Sequence, residues 1–120
     1  MTRRYLILAE AKSALSRNKE IEIFLGGFQV GSKNAIRWAS FSASNQEVVG
    51  NVWEALDEGS EDYLDIYSFS PVSGEWDEPV KSVCASSLEQ VLEELRVSNS
   101  RIVNSGIVQD EYASYLSSNT

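Results

Sequence analysis

The stretch SNQEVVGNVWEALDEG, residues 44–59, decides the architecture, because it separates an alternating segment before it from another after it. Its apolar residues Val49, Val52, Trp53 and Leu56 recur at helical spacing. Ser44 or Asn45 is placed to cap a first turn, and Gly59 lies just past the last one. The spacing therefore predicts a helix, weakened by about 1 kcal/mol at Gly50 relative to Ala.

Towards the N-terminus, AIRWASFSA (35–43) and EIEIFLGGF (20–28) both alternate with the period of two expected of strands. Gly31-Ser32-Lys33-Asn34 supplies turn chemistry between them, and Gly26-Gly27 marks a bulge or an end. A hairpin follows. Before it, Leu8, Ala11 and Leu15 fit a helix capped by Thr2, with Arg17 and Lys19 near its carbonyl end. Arg3 and Arg4 oppose the helix dipole at its start, so RYLILAEA has a competing reading as the start of a strand.

Towards the C-terminus, EDYLDIYSFSP (61–71) places Leu64 and Ile66 on one side and Tyr63, Asp65, Tyr67 and Phe69 on the other, which predicts a third strand. PVSGEWDE turns the chain and PVKSVCAS (79–86) returns it, a second hairpin. Ser86 with Glu89, and Ser87 with Gln90, fit a capping box ahead of Leu88, Val91, Leu92 and Leu95 at i, i+3, i+4 and i+7. RIVNSGIVQ reads as a fifth strand broken at Gly106, and DEYASYL as a closing helical turn or two. The expected fold is α+β: one antiparallel sheet of four to five strands, in two hairpins, packed against two or three helices. A single domain over 1–116 and a loose polar tail over 117–120 complete this expectation.

Charge is segregated along the chain. Residues 1–37 carry +4, residues 38–80 carry −10 with no Lys or Arg, and residues 81–120 carry −2, giving the net −8. The acidic block interleaves Glu54, Asp57, Glu58, Glu61, Asp62, Asp65, Glu75, Asp77 and Glu78 with Tyr63, Tyr67, Phe69 and Trp76. Such a surface repels a phosphate backbone, which argues against nucleic acid as partner. It attracts a basic protein, with aromatics supplying contact energy and carboxylates supplying steering.

The chain has no histidine, which removes the commonest general base and metal ligand. GGFQVG does not follow a nucleotide-binding glycine pattern, and DEGSEDYLD misplaces the glycine and final glutamate of a calcium loop. Eighteen acids make chance carboxylate pairs inevitable, so such pairs alone do not argue for glycosidase chemistry. Cys84, the single cysteine, reads as a buried inert thiol on a strand. One thiol and no membrane-length apolar run lead to the expectation of a soluble, cytoplasmic protein without a cofactor.

The reading that follows is a small non-catalytic module binding a basic protein. By physical analogy it resembles inhibitors that occlude cationic nucleases, bacterial toxin-immunity proteins among them, acting as a monomer or weak homo-oligomer. The partner face is expected to comprise Asp57, Glu58, Glu61, Asp62, Tyr63, Asp65, Tyr67, Phe69, Glu75, Trp76, Asp77 and Glu78. The alternative is a regulatory adaptor or an oligomeric structural subunit.

Overall fold

A computed structural model describes residues 5–76 and 78–118. Thr2, Arg3, Arg4, Asp77, Asn119 and Thr120 lie outside the described residues, so the Thr2 cap and the site assignment of Asp77 do too. The elements in order are α1 (Leu8–Ser16), β1 (Ile21–Val30), β2 (Lys33–Ser44), β3 (Glu47–Leu56), β4 (Lys81–Ala85), α2 (Leu88–Leu95), β5 (Val103–Asn104) and α3 (Val108–Ser118). The five strands form one antiparallel sheet in the order β4-β3-β2-β1-β5. The fold is α+β, with one sheet and three helices, as the sequence predicts.

Its wiring differs from two hairpin-plus-helix units. Residues 47–56, expected as helix, are β3, joined to β2 by a two-residue turn. Asn45 and Gln46 occupy that turn with φ of 51° and 67°, the left-handed pair that matches strand twist in a tight hairpin. Ser44 and Asn45 therefore belong to a turn, not a helix cap. Both faces of β3 are partly covered: Val48 and Val52 pack on one, Trp53 and Ala55 on the other. Apolar residues on both parities hide the period of two and leave an accidental helical spacing. Gly50 also finds its reason here, since a Cβ at that position would lie 2.4 Å from Val91 Cγ1 of α2.

The expected third strand over 61–71 is absent: β4 takes the edge of β3 at Val48–Val52, and only the end of the segment, around Pro71, reaches the rest of that edge. Residues 57–80 instead form a lobe with one short 3-10 turn, Ile66–Ser68. Ile66 and Phe69, three apart, are its buried anchors, so Phe69 does not share a face with Tyr63, Asp65 and Tyr67. The lobe returns along β3, with Leu56 N–H donating to Ser70 O at 2.8 Å and Val72 N–H to Glu54 O at 3.1 Å. Gly59 permits its close approach to α3, as a Cβ there would lie 2.4 Å from Tyr112 Oη.

The remaining elements follow the sequence with small shifts. Leu6 bridges Ile102 before α1 begins, and Glu10 Oε1 accepts from Ile7 N–H at 3.0 Å at the start of that helix. The β1 register shifts between Phe24 and Gly26, the expected bulge, with Gly26 at φ 99°. Ser87 is the cap of α2, accepting from Gln90 N–H at 3.3 Å. Only Val103–Asn104 of the predicted fifth strand pairs, beside β1, and Val108 and Gln109 fall in α3. That helix runs to Ser118, so the first half of the expected loose tail is helical.

The sheet thus has two differently covered faces. On one, α1 and α2 close over Ile21, Ile23, Ala39, Phe41 and Val52. On the other, α3 and the lobe cover Ile36, Trp38, Ala55, Val103 and Tyr112, leaving the β4 end of that face open. No helix among the described residues is long and apolar enough to cross a membrane.

Candidate functional site

The register between β2 and β3 sets Trp38 directly opposite Trp53 on the lobe-covered face. Trp53 Nε1–H donates to Ser40 Oγ at 2.9 Å, which anchors the indole to the neighbouring strand. Tyr67, carried in by the 3-10 turn, meets Trp38 edge-on with ring centroids 6.1 Å apart. Trp76 stands over the same region from the end of the lobe, 57% exposed. These rings bound one cleft of about 250 Å³, and it gathers all three tryptophans of the chain.

Five carboxylates join the rings in its lining: Glu20 and Glu22 from the start of β1, Glu54 from β3, and Glu75 and Glu78 from the lobe, with Ser40, Ala55, Phe69, Pro71 and Ser105 completing the wall. Among the described residues that line it there is no Lys or Arg. Two of the five acids are engaged. Glu54 is held by Arg37, whose Nη2 lies 2.6 Å from Oε2, while the same guanidinium sits 4.4 Å from the centroid of the Phe28 ring. Glu22 is 3% exposed, and its Oε1 accepts from the Tyr67 hydroxyl at 2.5 Å and from Gly106 N–H at 2.9 Å.

Burial pushes the Glu22 carboxyl above the usual carboxylate range, against the lowering effect of those two donors, with nearby Glu20 adding to the rise. The Tyr67 hydroxyl is likewise pushed well above its ordinary value, first by burial and then by the carboxylate it serves. It remains a donor at any physiological pH. The three other acids, Glu20, Glu75 and Glu78, are exposed and carry no side-chain ion pair among the described residues.

The lobe distributes the predicted site residues between several places. Tyr67, Phe69, Glu75, Trp76 and Glu78 line the cleft, Phe69 as a buried wall residue. Asp57 and Glu58 are structural: Asp57 Oδ1 accepts from the Tyr112 hydroxyl, and Glu58 Oε1 from Ser70 N–H at 2.6 Å. Tyr63 is half-exposed, bonded through its hydroxyl to Ser68 and packed on Phe69 with centroids 5.3 Å apart. Asp65 accepts from Gln109 Nε2 at 3.4 Å on the α3 side. Glu61 borders a separate hollow against Leu64 and Leu116, and Asp62 is exposed nearby.

Sequence reasoning missed Trp38, Trp53, Glu20 and Glu22. Trp38 and Trp53 lie equally far from the Asn45-Gln46 turn, a symmetry that pairs them once 47–56 is read as a strand. Cys84 needs correction as well. It is exposed, on the uncovered part of the lobe-side face, and loss of hydration together with the Glu47 carboxylate raises its thiol pKa. Its thiolate is disfavoured by its surroundings, while the thiol itself is accessible. Among the described residues, no three potential metal ligands converge. No protein-family model, curated protein or solved structure matches this chain significantly.

Proposed function

We propose that this protein is a non-catalytic binding module for a basic protein, most simply an inhibitor of the immunity type that occludes a cationic enzyme such as a nuclease toxin. The observation that carries this reading is the cleft of three tryptophans and five carboxylates, lined by no Lys or Arg among the described residues, with Trp38, Trp53, Glu54, Glu75, Trp76 and Glu78 drawn from the segment of −10. A cleft of a cationic nuclease is built to take phosphates, and carboxylates on a preformed surface compete for the same donors. The neighbouring indoles then supply contact area that phosphate mimicry alone lacks. Glu61 and Asp62, which do not line the cleft, act through the long-range field.

The test is a titration against a panel of basic nucleases, including any encoded beside the gene, read by loss of nuclease activity and by association kinetics. A stoichiometric complex is expected, with an on-rate that falls as salt shortens the Debye length from about 30 Å at 0.01 M to about 10 Å at 0.1 M. Reversing Glu61, Asp62, Glu75 and Glu78 to Lys slows association roughly tenfold or more, while Trp76→Ala acts mainly on dissociation. Rates that ignore charge reversal, or a tight homodimer that closes over Asp65 and Trp76, would replace the inhibitor with an oligomeric subunit.

A further inference from the structure

We infer that the tryptophan cleft is a pocket for a single arginine side chain of the basic partner. This rests on the reading of the protein as a binder of basic proteins, and it names what the surface grips.

Size decides first. Pockets for drug-sized ligands run from roughly 300 to 1,000 Å³. A cleft of about 250 Å³ falls below that range and suits one long side chain. Wall chemistry decides next. Indole is the strongest aromatic partner for a cation, and Trp38, Trp53 and Trp76 all contribute here, with the edge of Tyr67 against Trp38. Trp38 is a core ring that also lines the cleft, but a fold using the others only as core would bury them, and Trp76 is 57% and Tyr67 42% exposed.

Charge decides the sign of the guest. Glu54 already has Arg37, and Glu22 has Tyr67 and Gly106, so neither requires a ligand. Glu20, Glu75 and Glu78 line the cleft and have no ion-pair partner among the described residues. A cation among the indoles finds free carboxylates both from the start of β1 and from the lobe. Guanidinium is preferred over ammonium because it is planar, stacks on aromatic faces, forks onto carboxylates and loses less hydration on leaving water. The protein already contains this arrangement internally, in Arg37 between Phe28 and Glu54.

The experiment uses the full chain and the peptide Gly-Ser-Arg-Ser-Gly with blocked ends, beside versions carrying lysine or the uncharged isostere citrulline in place of arginine. Tryptophan fluorescence reports directly, because every indole of the protein borders the cleft. Saturable binding of the arginine peptide is expected, with a dissociation constant on the order of a millimolar. The citrulline peptide should bind at least about tenfold more weakly, and the lysine peptide severalfold more weakly. Trp76→Ala, at an exposed position that leaves folding intact by circular dichroism, should weaken the arginine peptide about tenfold. The double variant Glu75→Gln, Glu78→Gln should weaken it and flatten its salt dependence.

Equal binding of the citrulline peptide, a preference for lysine, or indifference to Trp76→Ala overturns the arginine pocket. So does saturation by an uncharged oligosaccharide such as chitotetraose without any response to arginine, which would make the indoles a sugar platform. Inhibition of a nuclease that persists in Trp76→Ala but is lost on charge reversal at Glu61 and Asp62 overturns the pocket and leaves the proposed function standing. Peptide binding without any nuclease inhibition does the reverse.

Discussion

The two faces of the sheet solve the problem of coverage differently. On the helix-covered face, Ile21, Ile23, Ala39, Phe41 and Val52 meet α1 and α2 through apolar contacts, and Gly50 lets α2 approach closely. On the lobe-covered face, the cover is one helix and an irregular acidic segment, and the strands contribute Glu22, Ser40, Trp38 and Trp53. The first face can be filled to crystal-like density because helices present regular ridges. The second is covered by a loop anchored at Ile66 and Phe69, and the space left beside those anchors is the cleft. The same sheet therefore has a filled helix side and, on the other, the cleft proposed to take a partner.

The sharpest way to break this division is to truncate one aromatic from each face. Phe41→Ala removes a fully buried ring beside Gly50 and α2, and should cost about 3–5 kcal/mol in urea unfolding. Trp76→Ala removes a larger but exposed side chain, and should shift stability by no more than about 0.5 kcal/mol. Comparable losses for the two would mean that the lobe face is as much core as the other.

How much of this contrast the sequence discloses depends on the face. The helix-covered side is legible: α2 has a Ser87 cap and an i, i+3, i+4, i+7 stripe, and Ile21 and Ile23 alternate cleanly against it. The lobe-covered side is not, because its residues answer to long-range partners. Val49 and Trp53 obey helical spacing only because β3 is apolar on both faces, and Tyr63 to Phe69 alternate although they do not reach the edge of β3. Glu22, one residue from two core isoleucines, reads as solvent-facing on alternation alone. It is buried because α3 and the lobe cover the side to which it points. The acidic window of residues 38–80 contains Trp38, Trp53 and Glu54 of the cleft, yet Glu20 and Glu22 reach it from outside that window through the sheet.

Glu22 sharpens the comparison through pH. Its carboxyl holds a proton more tightly in the folded protein than in the unfolded chain, because burial outweighs its hydrogen bonds. The stability linked to that proton is fully present below the ordinary carboxylate range and is lost as pH rises through the raised folded value. Glu22→Gln keeps an oxygen to accept from Tyr67 and Gly106 while removing the titration. The variant should be more stable than the parent at neutral pH, by less than Phe41→Ala costs, and the advantage should vanish as pH falls below the ordinary carboxylate range. Urea midpoints measured from acid to neutral pH check it; parallel curves would show that Glu22 is no more penalised than a surface acid.

The smallest effect probes the open end of the lobe-side face. Cys84 and Val83 are neighbours on β4, but the strand pleat sends Val83 towards the core under α2 and Cys84 to the other side, where it is exposed. Maleimide should therefore label Cys84 in the native protein without denaturant. The rate should still climb at pH above the ordinary thiol range, because Glu47 and lost hydration disfavour the reactive thiolate. In a Cys84→Ser background, Val83→Cys should react more slowly by about tenfold or more, since its exposure requires local opening of the strand from α2. The label at 84 should leave the unfolding midpoint unchanged, whereas at 83 it should lower it by forcing bulk between sheet and helix. Equal rates at the two positions would mean that α2 does not seal its side of β4, and the distinction between a closed face and an open one would fail at that strand.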